Sequence, residues 1–115
     1  MNISAVISEI LGTMIFLLVI LTISFRDITI SGLAPIMIGL GLAISVYIGI
    51  GLGGNAHFNP VVSAVMGVNG SVTAGEAFIH VICQFIGAGL AYGLFKLLPK
   101  TGSFEFTPNV VIKSA

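Results

Sequence analysis

The fold is decided by residues 53–67, which read Gly53-Gly54-Asn55-Ala56-His57-Phe58-Asn59-Pro60-Val61-Val62-Ser63-Ala64-Val65-Met66-Gly67. The first half of this stretch is too polar to cross a membrane, and the second half is too apolar for a loop in water. Asn59 is a favoured N-cap and Pro60 a favoured first helical residue, so a helix is predicted from Pro60 to about Gly67. Its length of about 12 Å is less than half of the ~30 Å hydrocarbon core of a bilayer.

So short a helix between apolar segments predicts a re-entrant loop over residues 53–67. The chain would dip into the membrane in an extended conformation and return to the same side as a helix. Irregular backbone at that depth is tolerated only where protein covers it or water lines it. The stretch therefore predicts a polar path through the membrane.

Three long apolar segments, at about 4–25, 35–52 and 74–98, flank this stretch, and each is close to the ~20 residues that a membrane-spanning helix needs. The chain is 57% hydrophobic and 7% charged, whereas a soluble domain carries about 25% charged residues. We predict one all-α membrane domain over residues 1–115, with three transmembrane helices and one re-entrant half-helix. We expect lipid to surround this domain. The tail 101–115, with Phe104 and Phe106, is predicted to anchor the chain at the membrane interface.

Other classes of function find little support in the composition. The formal net charge is zero, which gives no indication of a nucleic-acid partner. No nucleophile–base arrangement and no metal-ligand spacing appears, so no enzyme activity, cofactor or metal is predicted. His80, about one turn into the third apolar segment, is expected at the membrane interface.

The start of the predicted half-helix carries the chemistry. Its free N–H groups and its dipole place a partial positive charge near the membrane centre. The Asn59 side chain can cap these groups with its oxygen and present its NH₂ to the path, and residues 55–58 can present backbone carbonyls. Such an arrangement conducts neutral hydrogen-bonding solutes and opposes cations and protons.

The segment 54–63 closely resembles the first signature loop of the aquaporin and glycerol-facilitator family, which reads roughly G-x-H-x-N-P-A-V-T. Here the signature is Asn59-Pro60-Val61. Glu9 and Thr13 match the family's E-x-x-x-T in the first span, and Gln84 with Gly87-Ala88 matches Q-x-x-G-A in the third. The resemblance covers about residues 4–98, which corresponds to one half-repeat of the family fold.

The resemblance implies a channel for water or small neutral solutes such as glycerol, and a role for each matching residue. Glu9 would be buried and would support the loop by hydrogen bonds, with Gln84 assisting from the third span. The residues predicted to line the pore are Asn59, the backbone of Asn55, Ala56 and His57, and the approximate constriction positions Ile38 and Val46. Val62 is also predicted to line it, because it stands where a second-half loop of the family carries its selectivity arginine.

The sequence departs from the family pattern in its loop and in its extent. Asn55 stands where the family usually has glycine, Val61 replaces alanine, and the chain carries one half instead of two. A second half of opposite orientation is therefore expected, from an antiparallel homodimer or a separate half-channel, with a higher oligomer also open. The pairs Gly49/Gly53 and Gly89/Gly93 are spaced for close helix contact in such an interface.

The cations predict an orientation that conflicts with the simplest pairing. Arg26, Lys96, Lys100 and Lys113 all fall on the side away from the predicted loop, so the positive-inside rule places the C-terminus in the cytoplasm. A homodimer of opposite orientations should show a weaker bias. The second half could therefore be a separate partner protein or a copy of this chain that pairing forces into the opposite orientation.

Two other functions are consistent with the same sequence. Glu9 could be the ionisable site of a small dual-topology ion channel or exporter, because charge at membrane depth is commonly functional. Alternatively, the chain could be a non-conducting membrane subunit or a truncated product.

Overall fold

The structure is a computed structural model that describes residues 1–26 and 32–99. These ranges form four helices and no strand: α1 (Ile3–Phe25), α2 (Ala34–Gly51), α3 (Pro60–Val68) and α4 (Ala74–Leu97). Helices α1, α2 and α4 are long and apolar enough to cross a membrane. The predicted all-α membrane class is confirmed, whereas the tail 101–115 lies outside the described residues.

Helices α1, α3 and α4 begin where a side chain accepts one of the first N–H groups, whereas Leu33 before α2 makes no such bond. Asn2 caps α1, its Oδ1 accepting from the Ala5 N–H at 2.9 Å. Helix α2 carries Pro35 in its first turn. Thr73 and Glu76 form a capping box at the start of α4, in which each residue's side chain accepts the backbone N–H of the other.

Two glycines end the helices on either side of the loop. Gly53 follows α2 with φ +86° and Gly70 follows α3 with φ +78°. Behind Gly53, the Gly54 N–H donates to the Gly49 carbonyl at 3.0 Å. This is the six-to-one hydrogen bond of a Schellman motif, which requires a left-handed residue at its turn. The turn at Gly53 therefore stops α2 and sends the chain back towards α1.

Helix α1 lies at the centre, packed against α2 on one side and α4 on the other, while α3 packs against α4. Helices α1 and α4 run parallel: the N-terminal amino group lies 3.5 Å from Glu76 Oε1, and at the other end Arg26 Nη2 donates to the Phe95 carbonyl at 3.1 Å. The two helices are close enough that a Cβ on Gly87 would lie 2.5 Å from the Ile10 carbonyl oxygen. Small residues at such crossings are how helices approach one another in lipid.

Candidate permeation site

The loop before α3 has an unusual backbone. Ala56 and Phe58 adopt left-handed conformations, with φ +54° and φ +52°. This conformation costs a residue with a side chain roughly 1–2 kcal/mol. Two such residues within three positions are stable only if the surrounding structure holds them.

Glu9 on α1 supplies that support. Its Oε1 accepts the His57 N–H at 2.7 Å, and its Oε2 accepts the Phe58 N–H at 2.9 Å. Glu9 is fully buried. Successive N–H groups that converge in this way form a concave anion site, and here the carboxylate of the neighbouring helix fills it. The shape of the loop therefore depends on one side chain 48 residues away.

The same two hydrogen bonds fix the direction of two carbonyl groups. No described peptide bond is cis, and in a trans peptide the N–H and the C=O point in opposite directions. Because the N–H groups of His57 and Phe58 point at Glu9, the carbonyl groups of Ala56 and His57 point away from it. The loop thus turns its donors towards α1 and two acceptors to the opposite side.

Gln84 and Ser63 tie this loop to α4 and α3. Gln84 Nε2 donates to Glu9 Oε2 at 3.0 Å and to Ser63 Oγ at 2.7 Å. Ser63 Oγ also lies 3.1 Å from His57 Nδ1. Each of these side chains is buried, so the polar cluster links three helices and the loop in a low-dielectric interior where its hydrogen bonds are strong.

The Phe58 side chain also fixes the loop, by packing between two helices. Its ring is 5% exposed and lies in a slot between Gly12 of α1 and Gly49 of α2. A Cβ on Gly12 would overlap the ring, and one on Gly49 would lie 2.6 Å from Phe58 Cζ. The glycines therefore make the room that the aromatic ring fills.

Ser8 and Gly54 form a second close contact beneath the loop. Ser8 Oγ donates to the Gly49 carbonyl at 3.1 Å, and a Cβ on Gly54 would overlap the Ser8 side chain. We expect Gly54→Ala to lower the free energy of unfolding by about 1–3 kcal/mol through overpacking. In a double-mutant cycle measured by chemical unfolding, Ser8→Gly should recover part of this loss. Strictly additive effects would contradict the contact.

Asn59 opens α3 in an extended conformation, and its Oδ1 accepts the Val61 N–H at 2.9 Å. The residue is exposed, and Val61 beside it is 70% exposed. The NH₂ of an amide in this position retains two donors. The start of α3 therefore presents the N–H groups of a helix N-terminus and the amide donor of Asn59 on an exposed surface.

The other predicted pore residues are less sharply placed. Asn55 is exposed, and Val62, Ile38 and Val46 are half-buried. Their part in lining a path stays a prediction.

Two expectations about single positions are wrong. His80 is 1% exposed and contacts His57, so it is an interior residue and not an interfacial one. Gly49 is buried against Phe58 and Ser8 of the same chain, so it is not available to a partner helix. In both cases the returning loop covers a surface that the sequence pattern left open.

A cavity of about 320 Å³ lies at the tip of α3. Its walls include Thr13 and Phe16 of α1, Asn59 and Pro60 at the tip, and Gln84 of α4. Thr13 Oγ1 and Gln84 Oε1 are both buried with no hydrogen-bond partner among the described residues.

With this geometry in place, comparison with known proteins identifies the family. The family model described as Major intrinsic protein matches residues 1–113, which is nearly the whole chain. The chain belongs to the major intrinsic protein family. Members of this family are multi-pass membrane channels, so the chain is an integral membrane protein and its three long apolar helices are membrane spans.

One curated member of the major intrinsic protein family that this chain resembles is the "Glycerol uptake facilitator protein-like 6" of Lactiplantibacillus plantarum (strain ATCC BAA-793 / NCIMB 8826 / WCFS1). The two are 37% identical over 91 residues, which is 78% of this chain and 41% of the relative. The chain thus spans about two-fifths of the length of that relative. No solved structure matches significantly.

Proposed function

We propose that the chain forms one half of a passive channel for water or small neutral solutes such as glycerol. The observation that carries this proposal is the tie of the His57 and Phe58 N–H groups to Glu9. It turns the carbonyls of Ala56 and His57 to the side away from α1 and leaves them one step from the amide of Asn59. Acceptors followed by a donor form a hydrogen-bonding track for a neutral solute.

The N-terminus of α3 explains why such a track would reject cations. The first N–H groups of a helix carry a partial positive charge of about half an elementary charge. Only one of them is satisfied by the Asn59 side chain. A cation that leaves its hydration shell to follow the carbonyls would meet this positive end, whereas a neutral solute would not.

If this chain is half of a channel, a second half of opposite orientation is required to complete it. Helix α3 is nine residues long, about 14 Å, so its tip reaches only about halfway across the bilayer. We place the end of a second half-helix against the cavity at the tip of α3, which Asn59 and Pro60 line. Two half-helices entering from opposite faces would meet there.

A second copy of this chain, inserted in the opposite orientation, is the simplest source of that half, and a separate half-channel is the other. Arg26 and Lys96 lie at the end of the helices away from the loop, which favours a cytoplasmic C-terminus. An accessible tag on the C-terminus should be found on both membrane faces if the channel is an antiparallel homodimer. Strictly cytoplasmic tags would contradict the homodimer and favour a separate partner.

Osmotic swelling tests the channel directly. Purified chain in liposomes should accelerate stopped-flow swelling above that of protein-free liposomes, with no requirement for a proton or ion gradient. Replacing the external osmolyte by glycerol would show whether glycerol also passes. Swelling at the background rate, from well-folded and oligomeric protein, would contradict the proposal.

Asn59→Asp separates the chemistry of the track from the stability of the loop. Aspartate is as good an N-cap as asparagine, so the fold should survive. The variant loses the amide donor and places a negative charge at the positive helix end. We expect osmotic permeability to fall about tenfold, corresponding to ~1.4 kcal/mol for one lost donor, and cation leakage to appear. Swelling and a potassium-release assay measure the two effects.

Asn2→Asp is the matched control. Asn2 caps α1 through the same side-chain oxygen, at 2.9 Å from the Ala5 N–H, and it lies at the exposed start of the chain. It should leave permeability unchanged. Equal effects of the two substitutions, or none from Asn59→Asp, would remove Asn59 from the permeation path.

The geometry gives less support to the hypothesis that Glu9 is the ionisable site of an exporter or ion channel. Both carboxylate oxygens already accept backbone N–H groups that hold the loop. A transport cycle that protonates and releases this carboxylate would have to break the loop each time. Flux that requires a proton gradient would nevertheless favour the exporter over the passive channel.

A further inference from the structure

The chain has two histidines, and the fold brings them into contact. His57 lies in the loop and His80 on α4, with their Nδ1 atoms 3.1 Å apart. The ring centroids are 4.7 Å apart and the planes nearly perpendicular, at 84°. Both residues are buried, at 9% and 1% exposure.

The hydrogen bonding of His80 is incomplete, although its Nδ1 lies 3.1 Å from His57 Nδ1. His57 Nδ1 already has Ser63 Oγ as a partner at 3.1 Å, so His80 brings a second imidazole to an occupied nitrogen. The other ring nitrogen of His80, Nε2, is buried and has no hydrogen-bond partner within the described ranges. Leaving a polar atom unsatisfied in this way costs roughly 1–3 kcal/mol, which an apolar aromatic ring would avoid. Histidine is therefore costly at this position, and what it adds that an apolar ring would lack is a second Nδ1 atom beside that of His57.

The arrangement of donor atoms identifies the class of ligand. In a tetrahedral zinc site, bonds of about 2.0–2.1 Å place two nitrogen ligands roughly 3.3 Å apart. The two Nδ1 atoms are already at 3.1 Å. One donor atom from each of Glu9, His57 and His80 lies within 4.8 Å of the others. An ion that contacts all three would draw these donor atoms together to a spacing of roughly 3.3 Å.

Glu9 can take part without releasing the loop. Its Oε1 accepts one hydrogen bond, from the His57 N–H, and a carboxylate oxygen has two lone-pair positions. The second position remains for a cation. The negative charge of the carboxylate would partly offset that of the ion in the low-dielectric interior.

We propose that Glu9, His57 and His80 form a binding site for a borderline divalent cation of the Zn²⁺ type. Two imidazoles and a carboxylate suit Zn²⁺, Cu²⁺ or Ni²⁺ and disfavour Mg²⁺ and Ca²⁺, which prefer all-oxygen sites. The ion would join α1, the loop and α4 at one point. It would thus fix the loop beside the candidate permeation track, which is a role beyond the proposed passage of solutes.

Zinc binding to the purified chain tests this site without reference to flux. The protein should carry an affinity tag free of histidine, so that its two imidazoles are the only ones present. Competition against a chromophoric chelator should show one Zn²⁺ per chain, and the melting temperature should rise with Zn²⁺ and not with Mg²⁺. The absence of saturable Zn²⁺ binding would overturn the proposal.

The variants His80→Phe and Cys83→Ala are the matched pair. Phenylalanine keeps a ring at position 80 and removes the unpartnered nitrogen, so the zinc-free protein should be at least as stable. Its Zn²⁺ affinity should fall at least about tenfold. Cys83 is the single thiol of the chain, buried three residues further along α4, and Cys83→Ala should bind Zn²⁺ like the parent.

Two outcomes of this comparison would overturn the site. One is unchanged Zn²⁺ affinity in His80→Phe, and the other is loss of binding in Cys83→Ala alone. If phenylalanine prevents folding, His80→Gln gives the same test with a smaller polar side chain that lacks the imidazole.

Discussion

Glu9→Gln is expected to collapse the loop and to reduce osmotic swelling to the background rate. The glutamine side chain keeps one oxygen and replaces the other by NH₂, which is a donor. One of the N–H groups of His57 and Phe58 would then face another donor in a buried site. Hydrogen bonds to charged groups contribute roughly 1.5–3 kcal/mol each, and the strained conformations of Ala56 and Phe58 would lose their support. We therefore expect the free energy of unfolding to fall by about 3 kcal/mol or more.

Glu76→Gln is the control for this substitution. Glu76 also accepts a backbone N–H, that of Thr73 at 2.9 Å, but its carboxylate lies near the surface at the start of α4. The same change of charge there should cost no more than about 1 kcal/mol and leave swelling intact. If Glu9→Gln kept both its melting temperature and its swelling rate, Glu9 would not hold the loop. Loss of gradient-driven transport without loss of stability would favour the exporter.

Gly87→Ala should produce the second large effect. A Cβ at this position would lie 2.5 Å from the Ile10 carbonyl oxygen and 3.2 Å from the Met14 N. Both are backbone atoms of α1, so no side chain can rotate away and the two helices must separate. Overpacking of this kind costs about 1–3 kcal/mol. Because Glu9 and Gln84 are close to this crossing in sequence, separation should also lengthen their 3.0 Å hydrogen bond and lower the swelling rate.

Gly89→Ala gives the matched comparison on the same helix. In the part of the chain that the structure describes, no atom outside the neighbouring backbone of α4 lies within 4 Å of a Cβ built at Gly89. Alanine favours helix over glycine by about 1 kcal/mol. The control should therefore melt at the same or a higher temperature. Equal behaviour of the two variants would mean that α1 and α4 are not in close contact at Gly87. A selective effect of Gly89→Ala on oligomers would instead place that face in an interface between chains.

The sequence predicts the limits of the helices well because local chemistry determines them. Asn59-Pro60 starts α3, the Thr73–Glu76 capping box starts α4, and Gly53 and Gly70 stop the helices before them. The tie between Glu9 and the loop joins residues 48 positions apart, and only the family resemblance suggested it. The two left-handed residues, Ala56 and Phe58, carry no local signal, since neither is glycine or asparagine.

The errors at His80 and Gly49 have one physical origin. A polar residue one turn into a spanning helix is usually near the headgroups, and a glycine on an apolar helix is usually open to a neighbour. Here the loop folds back between the helices, covers Gly49 with the Phe58 ring and places His57 against His80. Sequence periodicity describes each helix alone, so it contains no information about a segment that returns to cover it.

The depth of α3 is the central claim, and tryptophan fluorescence can measure it because the chain contains no tryptophan. Single tryptophans at Val61 and Val68, which are 70% and 92% exposed, would be quenched by lipids brominated at different depths. Ile36→Trp and Ile44→Trp on α2 would calibrate the scale. We expect position 61 near the bilayer centre and position 68 about 10 Å shallower, from seven residues at 1.5 Å each. Equal and shallow depths at both positions would place α3 on the membrane surface and contradict the account.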